Sequence, residues 1–145
     1  MRKRILSFKY AFIGIWAVAS SEINFQIHIA AAIIAVSLGF YLDISKNEWC
    51  CVLLCFAIVM AAEAFNSAIE KLVDFISPEF HPKAGKIKDI AAGAVLITAI
   101  IAAAVGCIVF LAKIIARGWN KTLTNPLPAF HFIVGLDKLG AFGRG

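Results

Sequence analysis

Charge is what this chain has least of. Asp, Glu, Lys and Arg supply 16% of its 145 residues, against 61% that are hydrophobic, and the mean hydropathy is +0.87. A soluble domain carries about 25% charged and roughly 45–50% apolar residues, so an ordinary soluble fold is excluded. Disorder is excluded too, because it needs low hydrophobicity with high net charge. No segment alternates with period 2, which argues against a membrane barrel. Cys50, Cys51, Cys55 and Cys107 all lie inside apolar runs. They read as small packing residues, not as a disulfide framework or a zinc site. Gly85-Lys86 lacks both the leading glycine and the following hydroxyl of a phosphate-binding loop. The dinucleotide-binding glycine pattern, the protein-kinase set and the hydrolase nucleophile elbow are all missing. Chemistry on phosphates would need a different architecture. The formal net charge is +5, but the basic residues cluster at the ends of apolar segments, as topology signals do, so nucleic acid is not implied.

What is present is an all-α integral membrane pattern. Three apolar stretches, about 25–42, 49–70 and 90–116, approach or exceed the roughly 20 residues needed to cross a bilayer as a helix. Ahead of them, residues 3–20 place Ile5, Phe8, Phe12, Ile15 and Trp16 in an i, i+3, i+4 rhythm, which predicts an amphipathic helix on the membrane surface. A signal peptide also begins basic and turns apolar, but here Lys9 interrupts the run and aromatic residues dominate it. Arg2, Lys3, Arg4 and Lys9 precede the first span. Lys46 alone occupies the first turn, and Lys71, Lys83, Lys86 and Lys88 fill the second connection. The positive-inside rule then puts the N-terminus and the second loop in the cytoplasm. Lys113, Arg117 and Lys121 argue against the outside C-terminus that three spans require. Residues 1–117 read as one membrane domain. Residues 118–145, broken by prolines and glycines, read as a loose or interfacial tail.

The informative residues are carboxylates where a membrane helix should have none. A charge at the centre of a span costs about 2.5–3.5 kcal/mol on insertion scales. At 100° per residue, Glu63, Asn66, Ser67, Glu70 and Asp74 fall within roughly 100° of arc, while Ala62, Phe65, Ile69 and Val73 lie elsewhere. Two acids on one face repel unless something cationic neutralises them. A proton or a divalent metal does so, and Mg²⁺ favours one or two carboxylates plus phosphate oxygens and water. Asp74 and Lys71 read more simply as a solvated helix end. Glu22, with Asn24, stands at the junction before the first span and reads either as part of the same site or as a helix-start cap. His28, one turn into that span, reads as an interhelical hydrogen-bond partner before a ligand. The 77–89 connection carries Glu79, Phe80, His81 and three lysines. It is either a solvated basic loop or a polyanion site in which Lys88 meets a phosphate and Asp89 caps the next helix or holds a neighbouring base.

The run Glu63-Ala64-Phe65-Asn66-Ser67-Ala68-Ile69-Glu70, followed by Asp74 and by Lys88-Asp89 with Ala91-Ala92-Gly93-Ala94-Val95, closely resembles the bacterial diacylglycerol kinase family, which includes undecaprenol kinases. The resemblance covers about residues 8–116. It implies a homotrimer of three-span subunits in the bacterial cytoplasmic (inner) membrane, with active sites shared between neighbours. It implies transfer of the γ-phosphate of ATP, with Mg²⁺, to a lipid hydroxyl. Diacylglycerol is the first acceptor it suggests and undecaprenol the second. By position, Glu63 resembles the catalytic base, and Glu22 and Glu70 resemble the Mg²⁺-holding carboxylates with Asn66 between them. Glu79, Phe80 and His81 resemble a nucleotide-contacting loop, Lys88 and Asp89 a phosphate-side pair, and Tyr10 an aromatic that meets the adenine. Three positions depart from the pattern: Phe80 replaces a tyrosine, Ile13 stands where many members have lysine, and His28 replaces a carboxylate of the proteobacterial diacylglycerol kinases. A small cation or proton transporter and an inactive membrane scaffold are the rivals from other classes. The first would also place carboxylates in a span, but this stripe sits at one end of the helix and does not cross it.

Overall fold

The computed structural model describes residues 2–124, with the side chains of residues 4–119. The described residues form four helices: α1 (Arg2–Ser21), α2 (Ile23–Leu42), α3 (Lys46–Ile76) and α4 (Pro82–Thr124). Three are long and apolar enough to cross a membrane: α2, α3 and the Pro82–Trp119 part of α4. The expected all-α, three-span fold is therefore present. The chain divides into two compact units, Met1–Phe110 and Leu111–Gly145. In the second, the described residues are the last turns of α4.

The helices outrun the apolar stretches. α3 has 31 residues and α4 has 43, starting at Pro82. Residues 82–89 are thus helix and not loop. A proline at the first helical position is pre-set for the helical φ and gives up an N–H that had no partner. The Lys83 backbone N–H donates to His81 Nδ1 at 3.2 Å, so His81 caps the helix. Asp89 lies two turns inside α4 and cannot cap it, contrary to one expectation above. Residues 118–124 continue α4, and the rest of the expected tail lies outside the described residues.

The α2–α3 turn is held from several sides. Asp43 takes the left-handed conformation (φ 52°) and its N–H donates to the Gly39 and Phe40 carbonyls. Ser45 and Glu48 then form a complete capping box: the Ser45 N–H donates to Glu48 Oε2 at 2.6 Å and the Glu48 N–H to Ser45 Oγ at 3.4 Å, closing two orphan donors of α3. Phe40 and Trp49 pack ring to ring at 4.9 Å. Gly39 is required for this approach, since a Cβ there would lie 2.7 Å from Trp49 Cη2. Below the turn, Leu42, Ile44, Val52 and Val109 form a buried cluster flanked by Trp49, Phe56, Val105 and Phe110.

The α1–α2 junction is built differently. Glu22 adopts an extended backbone (φ −100°, ψ 113°) that breaks the helix, and its side chain makes no capping hydrogen bond. Glu22 thus stands at the cap position of α2, as one expectation had it, but does not cap the helix through its side chain. Instead Gln26 Nε2 donates to the Ala19 and Ser20 carbonyls, occupying the last acceptors of α1.

Candidate active site

Around Glu63–Ser67, α3 is polar inside and apolar outside. Glu63 (3% exposed), Asn66 and Ser67 are buried, while Phe65 is 71% exposed. A helix in water would place these the other way round. An apolar outer surface suits lipid, and the polar stripe must then find its partners within the protein.

Those partners come from α2 and from the α1–α2 junction. His28 Nε2 stands 3.9 Å from Glu63 Oε1. One turn further along the stripe, Asn66 Nδ2 donates to Glu70 Oε1 at 3.0 Å. Glu22 itself is tied down by Lys71, whose Nζ lies 2.8 Å from Glu22 Oε1. Ser21 Oγ adds a hydrogen bond to the same oxygen at 3.1 Å. The hydrogen bond from Lys71, then that from Ser21, hold Glu22 below its ordinary carboxylate pKa. The helix break at Glu22 has a structural purpose: it delivers this carboxylate sideways to α3.

The expected phosphate-side residues are placed with more variety. Lys88 Nζ pairs with Asp74 at 2.9 and 3.2 Å. Asp74, not Asp89, holds this base. Tyr10, Glu79, Phe80 and Asp89 are exposed, and among the described residues no hydrogen bond or ion pair joins their side chains to the cluster. Lys71 is the residue that sequence reasoning undervalued. Its signal was its place at the end of an acidic stripe, beside Glu70, where a cation relieves repulsion.

The site is also unfinished. Asn66 Oδ1 is buried without a hydrogen-bond partner, a state that costs about 1–3 kcal/mol. Asn66 is hydrogen-bonded to Glu70, and an amide oxygen beside a carboxylate is the hard-oxygen donor chemistry that Mg²⁺ takes. No group of three or more His, Cys, Asp or Glu able to hold a metal alone is present among the described residues. The oxygens fit the ion. Glu22 is engaged with Lys71, in a surface ion pair of the kind worth only about 0–1 kcal/mol.

Comparison with known proteins gives this geometry a context. Residues 9–110 match the model of the prokaryotic diacylglycerol kinase family. The undecaprenol kinase of Bacillus subtilis (strain 168) is 42% identical over 108 residues, covering 74% of this chain and 88% of the relative. The diacylglycerol kinase of Escherichia coli (strain K12) is 34% identical over 99 residues, covering 68% of this chain and 81% of the relative. The matched segment contains Glu22, His28, Glu63, Asn66, Glu70 and Lys88. These matches decide for a kinase over a cation transporter or an inert scaffold. The chain is a bacterial membrane lipid kinase and belongs to the prokaryotic diacylglycerol kinase family.

Proposed function

We propose that this lipid kinase moves the γ-phosphate of ATP to the hydroxyl of undecaprenol, with Glu63 as the base. The observation that carries the reaction is Glu63 itself, a carboxylate 3% exposed within an apolar helix and facing the polar ends of α2 and α3. The acceptor O–H bond breaks, and its proton passes to Glu63. The acceptor oxygen bonds to the γ-phosphorus. The bond from that phosphorus to the bridging oxygen breaks, and its electron pair leaves with ADP. Such transfers depend mainly on positioning and charge stabilisation. Glu22 and Glu70 would hold Mg²⁺, with Asn66 adding its unpartnered oxygen. Mg²⁺, when bound, offsets charge on the phosphates. Lys88 supplies a cation on the same side and must first leave Asp74.

Undecaprenol is placed ahead of diacylglycerol, reversing the order suggested by resemblance alone. The support is the higher identity to the undecaprenol kinase, 42% against 34% for the Escherichia coli diacylglycerol kinase. Diacylglycerol is the second reading, favoured by the number of relatives that carry that name. In this reading the chain works as a homotrimer, and neighbouring copies bring Tyr10, Glu79 and Phe80 to the nucleotide. The exposure of all three in one chain supports it. The N-terminus and the α3–α4 connection face the cytoplasm, where ATP is available, and α1 lies on the membrane surface through Phe8, Phe12 and Trp16.

The test is transfer of labelled γ-phosphate from MgATP by the purified protein to undecaprenol and to diacylglycerol in separate micelles, with Glu63→Gln as the blank. Label in undecaprenol that the variant abolishes supports the reading. Label only in diacylglycerol corrects the acceptor. No label in either lipid sinks it.

A further inference from the structure

His28 takes no part in the reaction as written above, yet it borders two places at once. Its Nε2 stands 3.9 Å from Glu63 Oε1, too far for a direct hydrogen bond. Its ring also lines a cavity of about 410 Å³ between α2, α3 and α4. The rest of that wall is apolar, with small residues such as Ala31, Ala102, Ala103 and Gly106. His28 is therefore the point where an apolar space meets the buried carboxylate. A lipid alcohol has the same arrangement, with a hydrocarbon chain on one side and a single hydroxyl at its end.

We infer that His28 binds the acceptor hydroxyl, holding it between its own Nε2–H and Glu63 Oε1 while the adjoining hydrocarbon of the lipid lies in the cavity. This rests on the lipid-kinase reading and on Glu63 as the base. The gap has the right size. Two hydrogen bonds of about 2.8 Å, from one oxygen to atoms 3.9 Å apart, enclose an angle of roughly 90° at that oxygen, which an alcohol accommodates. The valences also balance. The alcohol donates its proton to Glu63 and accepts from His28 through one lone pair, leaving the other lone pair to attack phosphorus. Nε2 must carry a proton for this, and it does so both in the Nε2–H tautomer and in the protonated ring. His28 neither gains nor loses a proton in the step. Its contribution is orientation, which brings the reacting atoms into line.

The experiment uses the full-length protein and whichever of undecaprenol and diacylglycerol accepts phosphate, together with the analogue of that lipid bearing hydrogen in place of the hydroxyl. The unmodified protein should bind the alcohol at least roughly tenfold better than the deoxy analogue, since the analogue makes neither of the hydroxyl's two hydrogen bonds. In His28→Leu, the KM for the alcohol should rise part of the way towards the inhibition constant of the deoxy analogue, because the hydrogen bond to Glu63 remains. That inhibition constant and the KM for ATP should stay unchanged. His28→Gln, which restores an N–H donor, should recover most of the discrimination even if the leucine variant folds poorly. If both lipids weaken together in the variants, or if neither changes, His28 is a packing residue and the inference is overturned. If the unmodified protein phosphorylates no lipid, the lipid-kinase reading falls and takes this inference with it.

Discussion

The two ends of the α2–α3 pair are built on opposite terms. At the turn end no buried side-chain polar atom among the described residues is left without a partner. Asp43 takes the one left-handed conformation among the non-glycine described residues, Ser45 and Glu48 close the capping box, and Gly39 admits the Trp49 ring. At the other end the chain buries Glu63, Asn66 and Ser67, leaves the Asn66 carbonyl unpaired, and balances Glu22 with a lysine at the surface. One end holds the helices together, and the other spends part of that stability on holding reactive groups ready. Unsatisfied polarity concentrates at the end where function needs it. It follows that substitutions at the turn end should act on folding and those at the polar end on turnover.

The sharpest way to break this comparison is Glu63→Gln. Turnover should fall by about 10²–10⁴-fold, the usual contribution of a positioned base. The thermal unfolding temperature in detergent should hold or rise, because a buried charge has been removed. A variant that unfolds early would make Glu63 a structural residue. Gly39→Leu should do the reverse. Its branched side chain meets the Trp49 ring, at a cost of roughly 1–3 kcal/mol typical of overpacking. The unfolding temperature should drop while kcat per folded molecule stays near that of the parent. Loss of kcat without loss of stability would mean that the two ends are coupled. Ser45→Ala removes half of the capping box and should cost about 1 kcal/mol, again with unchanged turnover.

The smallest effect belongs to the Glu22–Lys71 pair. Lys71 holds Glu22 below its ordinary value of 4.5. The folded state therefore binds this proton less tightly than the unfolded chain does, and the pair's stabilisation is complete above about pH 4.5. It is lost as the pH falls through the lower, folded value. Because the pair is exposed, the effect is small and fades with salt. Lys71→Gln should flatten the acid limb of an unfolding-versus-pH curve at low ionic strength. An identical limb in the variant would remove Lys71 as the cause.

Much of the site was legible in the sequence for one physical reason. A carboxylate in an apolar helix is costly, so Glu63 and Glu70 stand out without any structure, and the 3.6-residue period places Asn66 and Ser67 beside them. Helix ends were less legible. The start of α4 at Pro82 depends on a proline and a capping histidine, while the apolar signal begins only near residue 90. The partners were least legible, because Lys71 and Glu22 lie 49 positions apart and Lys88 and Asp74 lie 14 apart. Such pairings leave no local trace.

By itself the sequence determined that this is a helical membrane protein with three spans and an acidic stripe at one end of the second. Composition and periodicity are local properties, and the cost of burying charge in lipid is large. Only the tertiary structure decided which groups answer that stripe: His28 opposite Glu63, Lys71 on Glu22, Asp74 on Lys88, and an apolar cavity ending at the imidazole. Those choices depend on how helices distant in sequence come to lie side by side. Several pairings of the same residues satisfy the same pattern, and packing selects one.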